Sequence, residues 1–193
     1  MDNSSTNPEA WVDNHGDALF RYALGRVRNQ DVAENLVQET FLAGLKSQAS
    51  FSGQSAERTW LIAILKHKII DHLRASYREK PVTDLISDEQ SIDSFFDETD
   101  HLKKEPGAWN SPAENTAEKT EFWQTIESCL QKLPQKTADA FSLREIENMD
   151  TPEICKVLGI TPTNLWVMLH RARLQLRECL QSNWFENVKG KNP

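Results

Sequence analysis

Two stretches of this chain repeat apolar residues every third and fourth position, the spacing that lines one face of an α-helix; the segment between them holds no sustained period. In DVAENLVQETFLAGL, Leu36 follows Val32 by four residues and Val37, Phe41 and Leu45 form a second row beside it, which predicts an amphipathic helix with these positions inward. Its other side presents Asp31, Glu34, Asn35, Gln38 and Glu39, an acidic and amide-rich face that, taken alone, reads as a solvated surface. A second helix is expected to begin near Trp60, after the polar stretch FSGQSAERT, with Leu61, Leu65, Ile69 and Leu73 as its core stripe. A different row of that helix, His67, Asp71, Arg74 and Arg78 flanked by Lys66 and Lys68, makes a mainly basic ridge preceded by Phe51 and Trp60. Cations for phosphates beside aromatics for bases are what single-stranded DNA binding requires, although aromatics so placed more often belong to a core.

The C-terminal stretch ENMDTPEICKVLGITPTNLWVMLHRARLQLREC predicts helix, tight turn, helix. Asp150 or Thr151 suits the first cap, Pro152 the first turn, and Glu153 lies at capping-box spacing from Asp150. Ile154 and Leu158 face inward, Gly159 supplies the permissive backbone at the helix end, and Thr161-Pro162 opens the next helix. That helix buries Leu165, Met168 or Leu169, Ala172 and Leu176, leaving Thr163, Asn164, Trp166, Val167, His170, Arg171 and Arg173 outside. Such a pair is a helix-turn-helix, whose second helix enters the major groove, or else an α-hairpin that only packs.

Composition adds the middle of the chain and the compartment. The net charge is -7 over 193 residues, and nearly all of the excess lies in residues 81–118, which carry ten acidic and two basic side chains. With Pro81, Pro106, Gly107 and Pro112 among Ser and Asp, this segment is expected to be an acidic linker between a first domain at 9–80 and a second at 119–185. The fold class is therefore all-α, two small and different helical domains. No apolar run approaches the roughly 20 residues that cross a bilayer, and MDNSSTNPEA has no signal-peptide character, so a cytoplasmic protein without direct membrane contact is expected. The three cysteines, Cys129, Cys155 and Cys179, show no Cys-x-x-Cys spacing; buried thiols are expected, with redox sensing a second reading.

The order DVAENLVQETFL, FSGQSAERTWLIAILKHKIIDHLR, linker, LPQKTADAFSLREIENMDTPEICKVLGITPTNLWVMLHRARLQLRE resembles the sigma-70 family of RNA polymerase sigma factors, in its minimal extracytoplasmic-function (ECF) class, over roughly residues 10 to 180. The resemblance implies that the first domain binds core RNA polymerase and captures the melted minus-ten element, and that the second reads the minus-thirty-five element. Asp31, Glu34, Asn35, Gln38 and Glu39 become the polymerase-binding face. Ser52, Gly53, Gln54 and Ser55 match the loop that takes a flipped base, and Trp60, Lys66, His67, Asp71 and Arg74 adjoin it as promoter-reading positions. Arg144, Thr161, Thr163, Asn164, Trp166, His170, Arg171 and Arg173 fall to the minus-thirty-five element. It further implies promoter DNA as ligand, an anti-sigma factor as partner, no cofactor, no metal and no catalysis. The linker matches the family's connector toward the RNA exit path.

One departure stands out. Trp166 and Met168, with Val167 between them, occupy positions where the family commonly has Lys or Arg, so the groove side is less basic and binding to free promoter DNA is expected to be weak. The final Leu180, Trp184 and Phe185 are expected to pack back on the second domain rather than form a docking patch. Two rival classes fit the chain less well. An operator-binding regulator leaves the first domain without a purpose, and a metal enzyme built on His67, Asp71 and His72 lacks the paired Glu-x-x-His ligands of di-iron bundles, since neither Glu34 nor Glu39 has a His three residues on.

Overall fold

A computed structural model describes residues 7–51, 53, 55–79 and 116–185, and every element in them is helical. The chain divides into two compact units, the first carrying the residues to Glu79 and the second most of the remainder. The expected linker lies outside the described residues except for 116–118, which already belong to a helix.

Three helices build the first unit: α1 (Trp11–Val27), α2 (Gln30–Ser47) and α3 (Glu57–Glu79), each packed on the other two. α1 ends with Arg28 in the left-handed region (φ 52°), its N–H donating to the Leu24 carbonyl, and Asn29 at once caps α2 by accepting from the Val32 N–H at 3.0 Å. This two-residue corner reverses the chain. The core stripe of α3 is as expected, with Leu61, Leu65, Ile69 and Leu73 all buried, as are Trp11, Leu19 and Ala23 of α1 and Ala33, Leu36 and Val37 of α2.

Two expectations fail in detail. Leu45, placed inward by the second apolar row, is exposed, while Gly44 is buried in its stead; a Cβ on Gly44 would lie 2.9 Å from Trp11 Cζ3 and 3.1 Å from Leu61 Cδ2. The indole of Trp11 fills the volume a side chain would need there, and this rotates the inward stripe to Ala33, Leu36, Val37, Thr40 and Gly44. Thr40, fully buried, satisfies its hydroxyl by donating to the Leu36 carbonyl at 2.7 Å. The second difference is the start of α3, which begins at Glu57 because the Thr59 and Trp60 N–H groups already bond to the Ala56 carbonyl.

After these come α4 (Thr116–Gln131), α5 (Gln135–Phe141), α6 (Thr151–Leu158) and α7 (Pro162–Leu180), with π-helical turns at Ser142–Ile146 and Gln181–Phe185; all but the Lys156–Leu158 end of α6 belong to the second unit. α4 and α5 pack on α7 around Leu130, Leu133, Ala138, Ala172, Leu176 and Leu180. Trp184 lies edge-on to Phe122 of α4 with centroids 5.3 Å apart, so this residue packs back as expected; the Phe185 side chain lies outside the described residues.

The expectation of buried free thiols is overturned. Cys129 of α4 and Cys179 of α7 form a disulfide, Cα to Cα 5.8 Å, across a sequence separation of 50; Cys155, the free cysteine, is half-buried. No spacing motif announces such a bond, because the two residues meet only when α4 lies along α7.

Candidate polymerase and promoter interfaces

On α2 the inward turn of Ala33, Leu36, Val37 and Thr40 leaves Asp31, Glu34, Asn35, Gln38 and Glu39 all exposed on the other side. Gln30 donates to Glu34 at 3.0 Å along the same side. The face extends further than its acidic and amide residues, since Leu42 and Leu45 continue it and are 57% and 49% exposed. Their i, i+4 and i, i+3 steps from Gln38 and Leu42 were the available signal.

An open cleft of about 600 Å³ runs between Asp31, Asn35 and Glu39 of α2 and Lys68, Asp71 and His72 of α3. The structure thus gathers at one cleft residues from both the expected polymerase face and the expected promoter ridge. Lys68 bonds to Glu39 at 2.9 Å and Arg74 to Asp71 at 2.9 Å. The expected basic ridge is consequently less basic than its sequence: two of its cations are matched by carboxylates. His67 is exposed, Lys66 half-buried.

Of the loop before α3, Ser52 and Gln54 lie outside the described residues, Gly53 takes a left-handed φ of 70° and Ser55 is exposed. Trp60, expected beside a base, is half-buried between Phe51 (centroids 5.0 Å) and Trp11 (5.8 Å), and so divides its surface between the core and the loop. The first residue of α3 is tied to the start of the chain's first helix by contacts that the sequence does not announce. Glu57 accepts from the Asn7 N–H at 2.8 Å and the Trp11 indole at 3.2 Å, and His15 lies 3.6 Å away. Burial, the largest single influence on Glu57, raises its pKa; the hydrogen bonds and the facing His15 together outweigh it, and the carboxyl titrates below its ordinary range.

In the second unit Asp150, not Thr151, caps α6 by accepting from the Glu153 N–H at 2.8 Å; Gly159 has φ 62°, and Thr161 caps α7 by accepting from the Asn164 N–H at 3.2 Å. The two helices are joined by Gly159, Ile160 and Thr161. Met168 proves buried along with Leu165 and Leu169, so it does not stand on the exposed side of α7 with Trp166. Thr161, Thr163, Trp166 and Arg173 are exposed, and Asn164, His170 and Arg171 are half-buried. Trp166, 67% exposed, stacks on His170 with rings 6° from parallel and centroids 5.7 Å apart. Arg173 is held by Glu145 at 2.6 Å, and Arg144 donates to the Met149 carbonyl at 3.2 Å across the loop that enters α6.

Both parts of the chain match models of one family. The family model for sigma-70 region 2 matches residues 11–79, and that for sigma-70 region 4 matches residues 123–176. A probable RNA polymerase sigma factor of Haemophilus influenzae is 44% identical over 84% of this chain and 84% of its own length. This chain belongs to the sigma-70 family. The sigma factor YlaC of Bacillus subtilis is 28% identical over 83% of this chain and 84% of its own, and further relatives at 22% to 25% identity are named ECF RNA polymerase sigma factors. The sigma factor is thus of the ECF class. Among solved structures, that of the sigma factor RpoE in complex with the anti-sigma factor NepR from Bartonella quintana matches with a TM-score of 0.42 at 21% identity, over 91% of this chain and 97% of that one. Among the described residues no helix of this sigma factor is long and apolar enough to cross a membrane, and no group of three or more His, Cys, Asp and Glu is placed to hold a metal ion.

Proposed function

We propose that this ECF sigma factor docks on core RNA polymerase through the exposed side of α2, with Asp31, Glu34, Asn35, Gln38 and Glu39 as its polar half and Leu42 and Leu45 as its apolar end. The observation that carries this reading is the segregation on α2: seven exposed positions share one side of a helix whose other side is sealed by Ala33, Leu36, Val37, Thr40 and Gly44. A solvated face has no need of two neighbouring exposed leucines.

In the same proposal residues 9–80 capture the minus-ten element through the loop at Ser52 to Ser55 and the exposed side of α3, including Trp60, Lys66, His67, Asp71 and Arg74. Residues 119–185 read the minus-thirty-five element through α6 and α7. The exposed N-terminal positions of α7, Thr163 and Trp166, meet base edges, while the α7 N-terminus and Arg171 take phosphate. Residues 81–118 connect the two. The chain itself makes and breaks no bond, works in the cytoplasm beside the polymerase, and is restrained by an anti-sigma factor that competes for the same exposed surfaces.

Retention by immobilised core polymerase, without promoter, tests the proposal. Glu34→Lys together with Leu45→Asp is expected to lower affinity at least about tenfold, the scale of losing one interface hot spot. Unchanged retention by this double variant, with its helix content intact, overturns the assignment of the face. Failure of the unaltered chain to bind core at all overturns the whole reading.

A further inference from the structure

The disulfide between α4 and α7 is at odds with the compartment in which a sigma factor works. Cytosolic thiols are kept reduced, and disulfides that do form there are mostly transient, catalytic or redox-sensing ones; that the compartment is reducing rests on the function proposed above. The surroundings of the two sulfurs are unequal. Cys129 is 1% exposed, inside the cluster of Leu130, Leu133 and Leu176. Cys179 is half-buried, and its sulfur lies 3.6 Å from the Lys132 ammonium and 3.4 Å from the Asn183 amide nitrogen. A nearby cation and an N–H donor favour thiolate over thiol, and the thiolate is the nucleophile. Cys155 is the internal contrast: burial pushes its thiol upward.

We propose that Cys179 is a peroxide-reactive thiolate and Cys129 its resolving partner, so that the second unit exists as a dithiol and as a disulfide that fastens α4 to α7. The oxidant is a hydroperoxide. The Cys179 thiolate attacks the distal peroxide oxygen, the O–O bond breaks and alkoxide or hydroxide leaves, giving a sulfenic acid at Cys179. The Cys129 sulfur then attacks Cys179 Sγ, the S–OH bond breaks, and water departs with the Cys129 proton. Both sulfurs have lost one electron each and the peroxide has gained two. The return is thiol exchange, in which an external thiolate attacks the accessible sulfur, Cys179, and releases Cys129 as thiolate; a second thiol then frees Cys179. Because α7 also presents Trp166 and Arg173, the element that is fastened is the same helix that faces promoter DNA in the proposed function.

The test uses the full chain, reduced, freed of reductant and exposed to stoichiometric hydrogen peroxide, with mass spectrometry of the alkylated products. Expected is the loss of two alkylatable thiols per chain and a cross-linked peptide pair containing Cys129 and Cys179, with Cys155 still alkylated. In Cys129→Ser a dimedone-trapped sulfenic acid is expected at Cys179, in Cys179→Ser none at Cys129, and in Lys132→Met at least a threefold slower oxidation with the same end product. Equal or faster reaction at Cys155, sulfenic acid at Cys129, or a Lys132→Met rate equal to that of the unaltered chain each overturns the proposal. Circular dichroism of each variant separates loss of reactivity from loss of fold, and Lys132→Met keeps both cysteines in place. No polymerase is present, so failure here is distinct from failure of the docking face.

Discussion

Replacing Gly44 by alanine puts the packing of the first unit to a quantitative test, because two opposed effects act on one methyl group. Gly44 lies inside α2, where alanine is favoured over glycine by about 1 kcal/mol. Against that gain, the new Cβ would stand 2.9 Å and 3.2 Å from two atoms of the Trp11 ring and 3.1 Å from Leu61 Cδ2. Trp11 cannot retreat cheaply: it is 1% exposed, stacked near Phe41, edge-on to Trp60, and its indole N–H is bonded to Glu57. Overpacking at such a site costs about 1–3 kcal/mol, so the balance is a net loss of about 1 kcal/mol. Gly16→Ala in α1 is the control, since its Cβ would meet only Val12 Cγ1 at 3.9 Å, and there the propensity gain of about 0.5–1 kcal/mol stands alone. Hydrogen-exchange mass spectrometry on peptides from α1 to α3 of the full chain reads the opening free energy of this unit by itself. Expected are exchange about fivefold faster in Gly44→Ala and a few-fold slower in Gly16→Ala. If both substitutions slow exchange, the close approach of Trp11 to α2 is refuted.

Other consequences concern single groups. Glu57 has a lowered folded-state pKa, so its contribution to stability is complete above the ordinary carboxylate value and lost as pH falls through the lowered one. Glu57→Gln is therefore expected to melt at a lower temperature at neutral pH and to lose part of the acid-induced drop, and equal acid sensitivity in both proteins would count against the Asn7, Trp11 and His15 network. Asp150→Ala and Thr161→Ala each remove a helix cap and are expected to cost the second unit about 1 kcal/mol, read as faster exchange in α6 and α7 peptides, whereas Thr151→Ala should be near neutral in capping. Glu145→Gln releases Arg173 from its ion pair, and binding of the free chain to promoter DNA is expected to strengthen at low salt and to gain about 0.9 in the slope of log affinity against log salt. An unchanged slope would show that Arg173 does not reach phosphate.

The periodicity of this chain determined its class by itself. Leu61, Leu65, Ile69 and Leu73 could serve only one face of one helix, and Asp150, Gly159 and Thr161 mark the helix boundaries because caps and left-handed turns depend on local chemistry that three or four residues contain. The acidic face of α2 was equally legible, as was the return of Trp184 onto the second unit. What local chemistry cannot contain is which neighbour arrives. Gly44 entered the core and Leu45 left it because a tryptophan thirty-three positions earlier occupies the space. Likewise Lys68 belonged to a basic ridge until Glu39 of α2 was placed beside it, and Arg173 to the outer side of α7 until Glu145 was. The pairing of Cys129 with Cys179 belongs to the same order of fact, since residues 50 positions apart meet only through the packing of α4 on α7. Helix identity follows from short-range steric and hydrogen-bonding preferences; the charge and redox state of a surface follow from contacts between helices, which only the assembled fold brings about.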